Sequence, residues 1–266
     1  METTARRTPP RQLLNKVPEV TLLFWVVKIL STTVGETAAD FLAGNLGLGL
    51  TTTSLVMAVL LAGVLVVQFR TRRYVPWVYW LAVVLISVVG TLISDNLVDN
   101  LGVSLWITTA VFSLCLAASF AAWFRSERTL SIHTIVTSRR ESFYWLAILF
   151  TFALGTSAGD LVAETLALGY LVSAAIFGLL IALITMAYAK VGLNAVFAFW
   201  TAYILTRPFG ASMGDFLTAA PTDGGIGLGT NGTSALFLAV IVGAVGWFTL
   251  VERREQSPSR ALDAVA

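Results

Sequence analysis

The sequence predicts an all-α integral membrane protein, with eight transmembrane helices arranged as four tandem helical-hairpin repeats and pseudo-symmetry about the membrane normal. Three observations predict it. Hydrophobic residues make up 57% of the 266 and charged residues only 12%, too few to give a soluble domain its polar surface. The apolar residues fall into runs of about 20, the length that crosses a hydrocarbon core of roughly 30 Å. One pattern also returns four times at fixed offsets: Trp25, Gly35, Asp40; Trp80, Gly90, Asp95; Trp145, Gly155, Asp160; Trp200, Gly210, Asp215. Trp is rare and Asp costly in apolar segments, so this recurrence marks a duplicated unit.

In chain order the expected spans are 20–43, 51–69, 76–98, 104–124, 143–164, 170–189, 194–218 and 234–251. Barrel strands are excluded, because the runs are about twice a strand's length and lack strict alternation. Residues 1–17 read as a basic cytoplasmic tail, disordered and retained, since no small-residue cleavage site follows. A single membrane domain over 18–254 divides into repeats at about 18–73, 74–137, 138–192 and 193–254, with a basic loop at 125–142 and a second cytoplasmic tail at 255–266. The Trp-to-Trp steps pair the repeats, for Trp25 to Trp145 and Trp80 to Trp200 are both 120 residues.

Charge fixes the expected orientation. Arg6, Arg7, Arg11 and Lys16 precede the first span, and Arg70, Arg72 and Arg73 follow the second. Arg125, Arg128, Arg139 and Arg140 follow the fourth, Lys190 the sixth, and Arg253 and Arg254 the eighth. The other connections hold no Lys or Arg, so the positive-inside rule places both termini in the cytoplasm of a multi-pass protein. An even number of spans per repeat points all four repeats the same way, and the array is expected to close around a centre.

Each Asp then lies about 22 Å above its Trp, in the outer half of the membrane. The Trp residues are expected as structural anchors near the cytoplasmic headgroups, with the indole N–H wet or bonded to a neighbouring helix. Gly35, Gly90, Gly155 and Gly210, with Ala39, Ser94, Gly159 and Gly214 beside the aspartates, allow close helix approach. Glu36 and Asp40, Asp95 and Asp99, and Asp160 and Glu164 are four apart, which puts each pair on one helix face. The fourth repeat departs from this with Ala211 and Ala219, and carries Arg207 followed by Pro208. Lys28 is the only other base within a span.

Such carboxylates either bind cations or hold structure. In the first reading Asp40, Asp95, Asp160 and Asp215 form an ion-binding or proton-relay ring, a possible metal site, to which Glu36, Asp99 and Glu164 add ligands. Ser31, Thr32, Thr37, Asn45, Asn96, Asn100 and Thr156 complete an all-oxygen environment for a hard cation or a proton, while Lys28 and Arg207 compensate charge. In the second, each Asp caps a helix end or accepts from a Trp or Ser of the next repeat.

Other signals are weaker. Gly227, Gly229 and Gly232 spell G-x-G-x-x-G without a preceding strand and read as a flexible outer loop. Asn231 begins a formal glycosylation acceptor. His133 lacks neighbours at ligand spacing, and the single Cys115 reads as packing. Gly159-Asp160 and Gly214-Asp215 are a poor match to intramembrane aspartyl proteases, because Ser157 and Ser212 replace that motif's first Gly; no enzyme is expected. No signature calls for a cofactor or for nucleic acid, and the oligomeric state is open.

The fourfold motif and the segment KVPEVTLLFWVVKILSTTVGETAADFLAGNLGLG resemble a family of bacterial membrane proteins built from four tandem copies of a two-span, Trp-containing repeat of unknown function. The resemblance runs from Lys16 to about Arg254. It implies the architecture and a bacterial inner-membrane location, and no substrate. The residues themselves give the functional expectation, a transporter or channel for a small cation, divalent metal, proton or both. The alternative is a non-transporting scaffold or sensor whose basic loop binds a partner or anionic lipid.

Overall fold

A computed structural model describes residues 15–263, with backbone alone at Asn45 and at 252–263. The side chains of Arg253 and Arg254 and all of Arg6, Arg7 and Arg11 therefore lie outside the described residues. The chain is all-helical: α1 (Leu22–Asp40), α2 (Leu50–Arg70), α3 (Pro76–Asp95), α4 (Leu105–Glu127), α5 (Ser138–Asp160), α6 (Tyr170–Met186), α7 (Ala195–Thr218) and α8 (Thr230–Asp263). Seven of the eight are long and apolar enough to cross a membrane. The exception, α7, is the helix that carries Arg207, Pro208 and Asp215.

Local chemistry sets the boundaries. Thr21, Ser104, Thr137 and Asn194 each accept a backbone N–H at a helix start, the usual work of an N-cap. The Thr137 cap makes the polar turn Ser138–Ser142 helical, so α5 begins earlier than its apolar content indicates. Likewise α8 extends beyond the expected span at both ends. Single π turns follow α1, α3 and α5, at Phe41–Asn45, Asn96–Asn100 and Leu161–Thr165, so three of the four motif aspartates are the last α-helical residue before a π turn. Each turn leads into a left-handed residue at the same repeat position, Gly47 (φ 67°), Gly102 (φ 65°) and Ala167 (φ 54°). At that position only the third repeat places a side chain in the costly left-handed conformation.

The odd helices make a closed inner ring: α1 packs on α3, α3 on α5, α5 on α7, and α7 on α1. The even helices cover it, but not as hairpins. Instead α2 packs on α3, α4 on α5, α6 on α7, and α8 on α1. Each outer helix thus lies against the inner helix of the following repeat, and the last repeat locks onto the first. The expected helical hairpin is a unit of sequence, whereas the packing unit spans two repeats. In their most apolar stretches α1, α3 and α5 are at least 61% buried, against at most 22% for α2, α4, α6 and α8. The outer four present the apolar surface.

The motif glycines seat the ring. A Cβ on Gly35 would strike Ser87, on Gly90 Phe152, on Gly155 Arg207, and on Gly210 Thr32. Each of these partners lies seven residues after the Trp of the next repeat, so one contact recurs four times around the circle. At Gly90 the added carbon would lie 2.6 Å from Phe152 Cβ and 3.1 Å from the Ala153 amide nitrogen. Gly90→Ala is therefore expected to cost about 1–3 kcal/mol as an overpacked contact. Gly63→Ala, with nothing within 4 Å, is expected to gain about 0.5–1 kcal/mol from helix propensity. Unfolding midpoints in detergent micelles check the pair.

At the basic end, Lys16 is not part of a loose tail. Its Nζ donates to Glu141 Oε2 at 2.6 Å and to the Phe69 carbonyl at 3.1 Å, while Gln68 Nε2 donates to Glu141 Oε1 at 3.0 Å. Lys16 and Glu141 are both buried. The start of the described chain is thereby pinned to α2 and α5, against the expectation of disorder through residue 17. The loop after α4 is also ordered. Ile132 and Ile135 are buried in it, and Arg140 donates to Glu127 Oε2 at 2.7 Å and to the Thr134 carbonyl at 3.1 Å.

Candidate functional site

Positions counted from each repeat Trp stack as layers along the axis of the inner ring, one layer per helical turn. The lowest is aromatic. Phe24, Tyr79, Tyr144 and Phe199 precede the four Trp residues, and the Tyr79 and Tyr144 hydroxyls lie 2.5 Å apart. Trp80, Trp145 and Trp200 are buried in this floor: the ring faces these indoles inward, where they pack on Tyr79, Tyr144 and Tyr203. Two of them tie down connections between repeats, Trp80 Nε1 to the Tyr74 hydroxyl at 3.1 Å and Trp200 Nε1 to the Leu130 carbonyl at 2.9 Å.

One turn higher, Lys28 and Tyr203 occupy equivalent positions of the first and fourth repeats. Lys28 is fully buried, and its Nζ lies 4.4 Å from the Phe152 ring centroid and 4.3 Å from that of Tyr203. Among the described residues no oxygen accepts from it. Two aromatic faces provide its attraction.

The next two layers meet in one cluster. Seven residues past the Trp stand Thr32, Ser87, Phe152 and Arg207; eleven past it stand Glu36, Thr91, Thr156 and Ala211. The small Ala211 leaves its side of the upper layer empty, and Arg207 rises from one turn below to fill it. Its Nη2 donates to Glu36 Oε2 at 2.9 Å, to Thr156 Oγ1 at 2.7 Å and to Thr91 Oγ1, while Nη1 donates to the Thr32 carbonyl at 3.1 Å. Thr91 in turn donates to Glu36 Oε2 at 3.1 Å. Arg207 is fully buried and Glu36 nearly so. Every inner helix contributes to this centre.

Above it lie the four motif aspartates. Asp40 is exposed and Asp95, Asp160 and Asp215 are half-buried, and each is within electrostatic reach of Glu36 and of at least one other of the four. Among the described residues none of the four side chains takes part in a hydrogen bond or ion pair, so no donor caps their carboxyl groups. They also sit at C-terminal helix ends, where the helix dipole disfavours a negative charge. Neither the local dipole nor a local partner accounts for them. Asp99 and Glu164, like Asp40, are exposed, at the rim. Among the described residues no three His, Cys, Asp or Glu side chains gather as a metal site, so the four aspartates do not form a closed coordination cage.

Of the oxygen-bearing neighbours expected around the acids, only Thr156 and the Thr32 carbonyl join the central cluster. Asn96 and Asn100 instead fasten the π turn after α3 to Ser54 and Thr51 of α2. Thr37 accepts from Ser234 of α8 at 2.6 Å, and Ser31 bonds back to its own helix. The Asn45 side chain lies outside the described residues. Thr91 escaped sequence reasoning, although its offset from Trp80 equals that of Glu36 from Trp25. His133 is exposed in a single 3-10 turn, as expected of a solvated loop residue. Gly227 and Gly229 adopt positive φ in the connection before α8.

A family model for a Repeat of Unknown Function (DUF347) matches four stretches of the chain, residues 23–74, 78–129, 143–192 and 198–254. Each stretch contains one copy of the inner-plus-outer helix pair. No curated protein and no solved structure matches the chain.

Proposed function

We propose that this chain, which belongs to the family of the Repeat of Unknown Function (DUF347), is a membrane transporter or channel for a small cation, a divalent metal ion, a proton or both. In this reading all eight helices span a bacterial inner membrane, the pseudo-symmetry axis follows the membrane normal, and the basic connections 70–73, 125–140 and 190 face the cytoplasm. The aspartate ring then opens to the outer side. The observation that carries the reading is that, among the described residues, four carboxyls on the adjacent inner helices have neither a hydrogen-bond donor nor a counter-ion within ion-pair distance, so they are available to a cation from water.

The floor favours a gated route over an open pore. Below the acids the axis is filled by the Arg207–Glu36 pair, then by Lys28 between Phe152 and Tyr203, then by Tyr79 and Tyr144. A cation passing through must displace these groups, which a transporter achieves by alternating access.

Flux into proteoliposomes tests the proposal. Asp95→Asn and Asp160→Asn are each expected to lower cation flux at least about tenfold, equivalent to roughly 1.4 kcal/mol of lost transition-state stabilisation. Unchanged flux in both would remove the acids from the mechanism.

A second reading, a scaffold or sensor acting through the basic loop, rests on Arg125, Arg128 and Arg139, which remain exposed on an otherwise ordered connection. Neutralising these three should then abolish recovery of a cytoplasmic partner or binding to anionic vesicles and leave ion flux unchanged.

A further inference from the structure

We infer that the oxygens holding Arg207 form an inner binding site for a monovalent alkali cation, sodium in particular, and that the guanidinium is its tethered competitor. The inference rests on the transport reading and deepens it by naming the class of ion that reaches the centre.

Four oxygens converge on the guanidinium. They are Glu36 Oε2, Thr91 Oγ1, Thr156 Oγ1 and the Thr32 carbonyl oxygen, contributed by three of the four inner helices. Glu36, Thr91 and Thr156 occupy one repeat position, and the fourth copy of that position is the ligandless Ala211. A cage with one open side, filled by a charge from the adjacent layer, is the arrangement expected of a site whose occupant can be exchanged. Carboxylate, hydroxyl and carbonyl oxygens suit hard cations and not soft ones.

Charge selects the valence. One carboxylate with three neutral oxygens balances one positive charge, which is what the guanidinium brings. A divalent ion in the same place would leave a buried excess of positive charge. The outer aspartates, which have several carboxylates and access to water, have no such limit.

The competitor has somewhere to go. Asp40 and Asp160 lie within electrostatic reach of Arg207 and have no partner of their own. When sodium occupies Glu36, the guanidinium can move up toward this ring, so that both positive charges stay matched. Arg207 would thereby couple occupancy of the centre to the charge state of the vestibule.

Equilibrium binding of radioactive sodium to the purified, folded protein in detergent tests this without reliance on flux. Saturable binding is expected in the wild type, weakened at least tenfold in Thr91→Val and in Thr156→Val, which remove ligands at nearly constant shape. Because binding is read here without flux, loss of cation flux in Asp95→Asn tests the transport reading alone and the sodium titration tests this inference alone, so failure of the one and failure of the other give different results. Arg207→Gln, which removes the competitor, should bind at least tenfold more tightly; if it does not fold, the wild type and the threonine variants decide. Manganese at equal ionic strength should not displace the bound sodium. Absence of saturable sodium binding in the wild type, wild-type affinity in both threonine variants, or displacement by manganese at lower concentration than by sodium itself would each overturn the inference.

Discussion

Arg207→Ala is expected to destabilise the folded chain by about 3–5 kcal/mol, the cost of removing one partner from a buried ion pair. The size follows from what remains. Glu36 would keep a single donor, Thr91, in a centre closed to water, and Thr156 and the Thr32 carbonyl would lose theirs. A space would open among Glu36, Thr91 and Thr156 where the guanidinium sits, and Gly155 would lose the Arg207 Cγ that now covers it. Glu36→Gln combined with Arg207→Gln should cost less than the sum of the two single changes, with a coupling of about 1–3 kcal/mol, because neither variant then strands a charge. Denaturant titration in mixed micelles reads all four proteins. Strict additivity would mean that the two groups do not meet.

Glu141→Ala is expected to be comparably damaging, at about 3–5 kcal/mol, although it lies at the opposite end of the molecule from the acid ring. Lys16 would be left as a buried ammonium whose remaining acceptor is the Phe69 carbonyl, and Gln68 would lose its acceptor. Because this contact joins the start of the described chain to α2 and α5, its loss should free the segment before α1 as well as lower stability. Trypsin should then cut after Lys16, a bond protected in the wild type by burial. Glu141→Gln, which keeps an acceptor but not the charge, should fall between the two. Wild-type stability and an uncut Lys16 in Glu141→Ala would refute this role.

The repeat, the helices and the equivalent positions of the acids are legible because each depends on periodicity along one chain. A helix rises by a fixed step, so a constant offset from Trp to Asp is a constant height, and apolar length is span length. Partnership across helices is not encoded that way. That α2 covers α3 and not its own hairpin partner depends on how the π turn and the left-handed residue after it redirect the chain, and no apolar pattern records this. The same limit hid the pairing of Arg207 with Glu36, 171 residues away, and that of Lys16 with Glu141. For Trp80, Trp145 and Trp200 the sequence leaves open whether the indole meets headgroups or a neighbouring helix. In the folded chain the inner ring turns those positions inward, and burial against tyrosines wins.

The use of glycine for close approach is legible in the sequence, but the partner of each glycine needs the fold. Once the ring is known, the four contacts reduce to one rule, glycine against the residue seven past the next Trp. That rule places Arg207 beside Gly155 and leaves only the small Ala211 above it. The asymmetry of the fourth repeat, visible in the sequence as missing acids, is thus what allows a cation into the centre of the ring.

The central claim is that the four aspartates face water on the non-cytoplasmic side while the layers beneath them are sealed. Accessibility of single cysteines tests it most directly. In a Cys115→Ser background, Asp95→Cys and Asp160→Cys should react with a membrane-impermeant thiol reagent added outside intact cells, and Val83→Cys, buried three turns lower, should not. Cysteines at both aspartate positions that stay unmodified until the membrane is permeabilised would contradict the account.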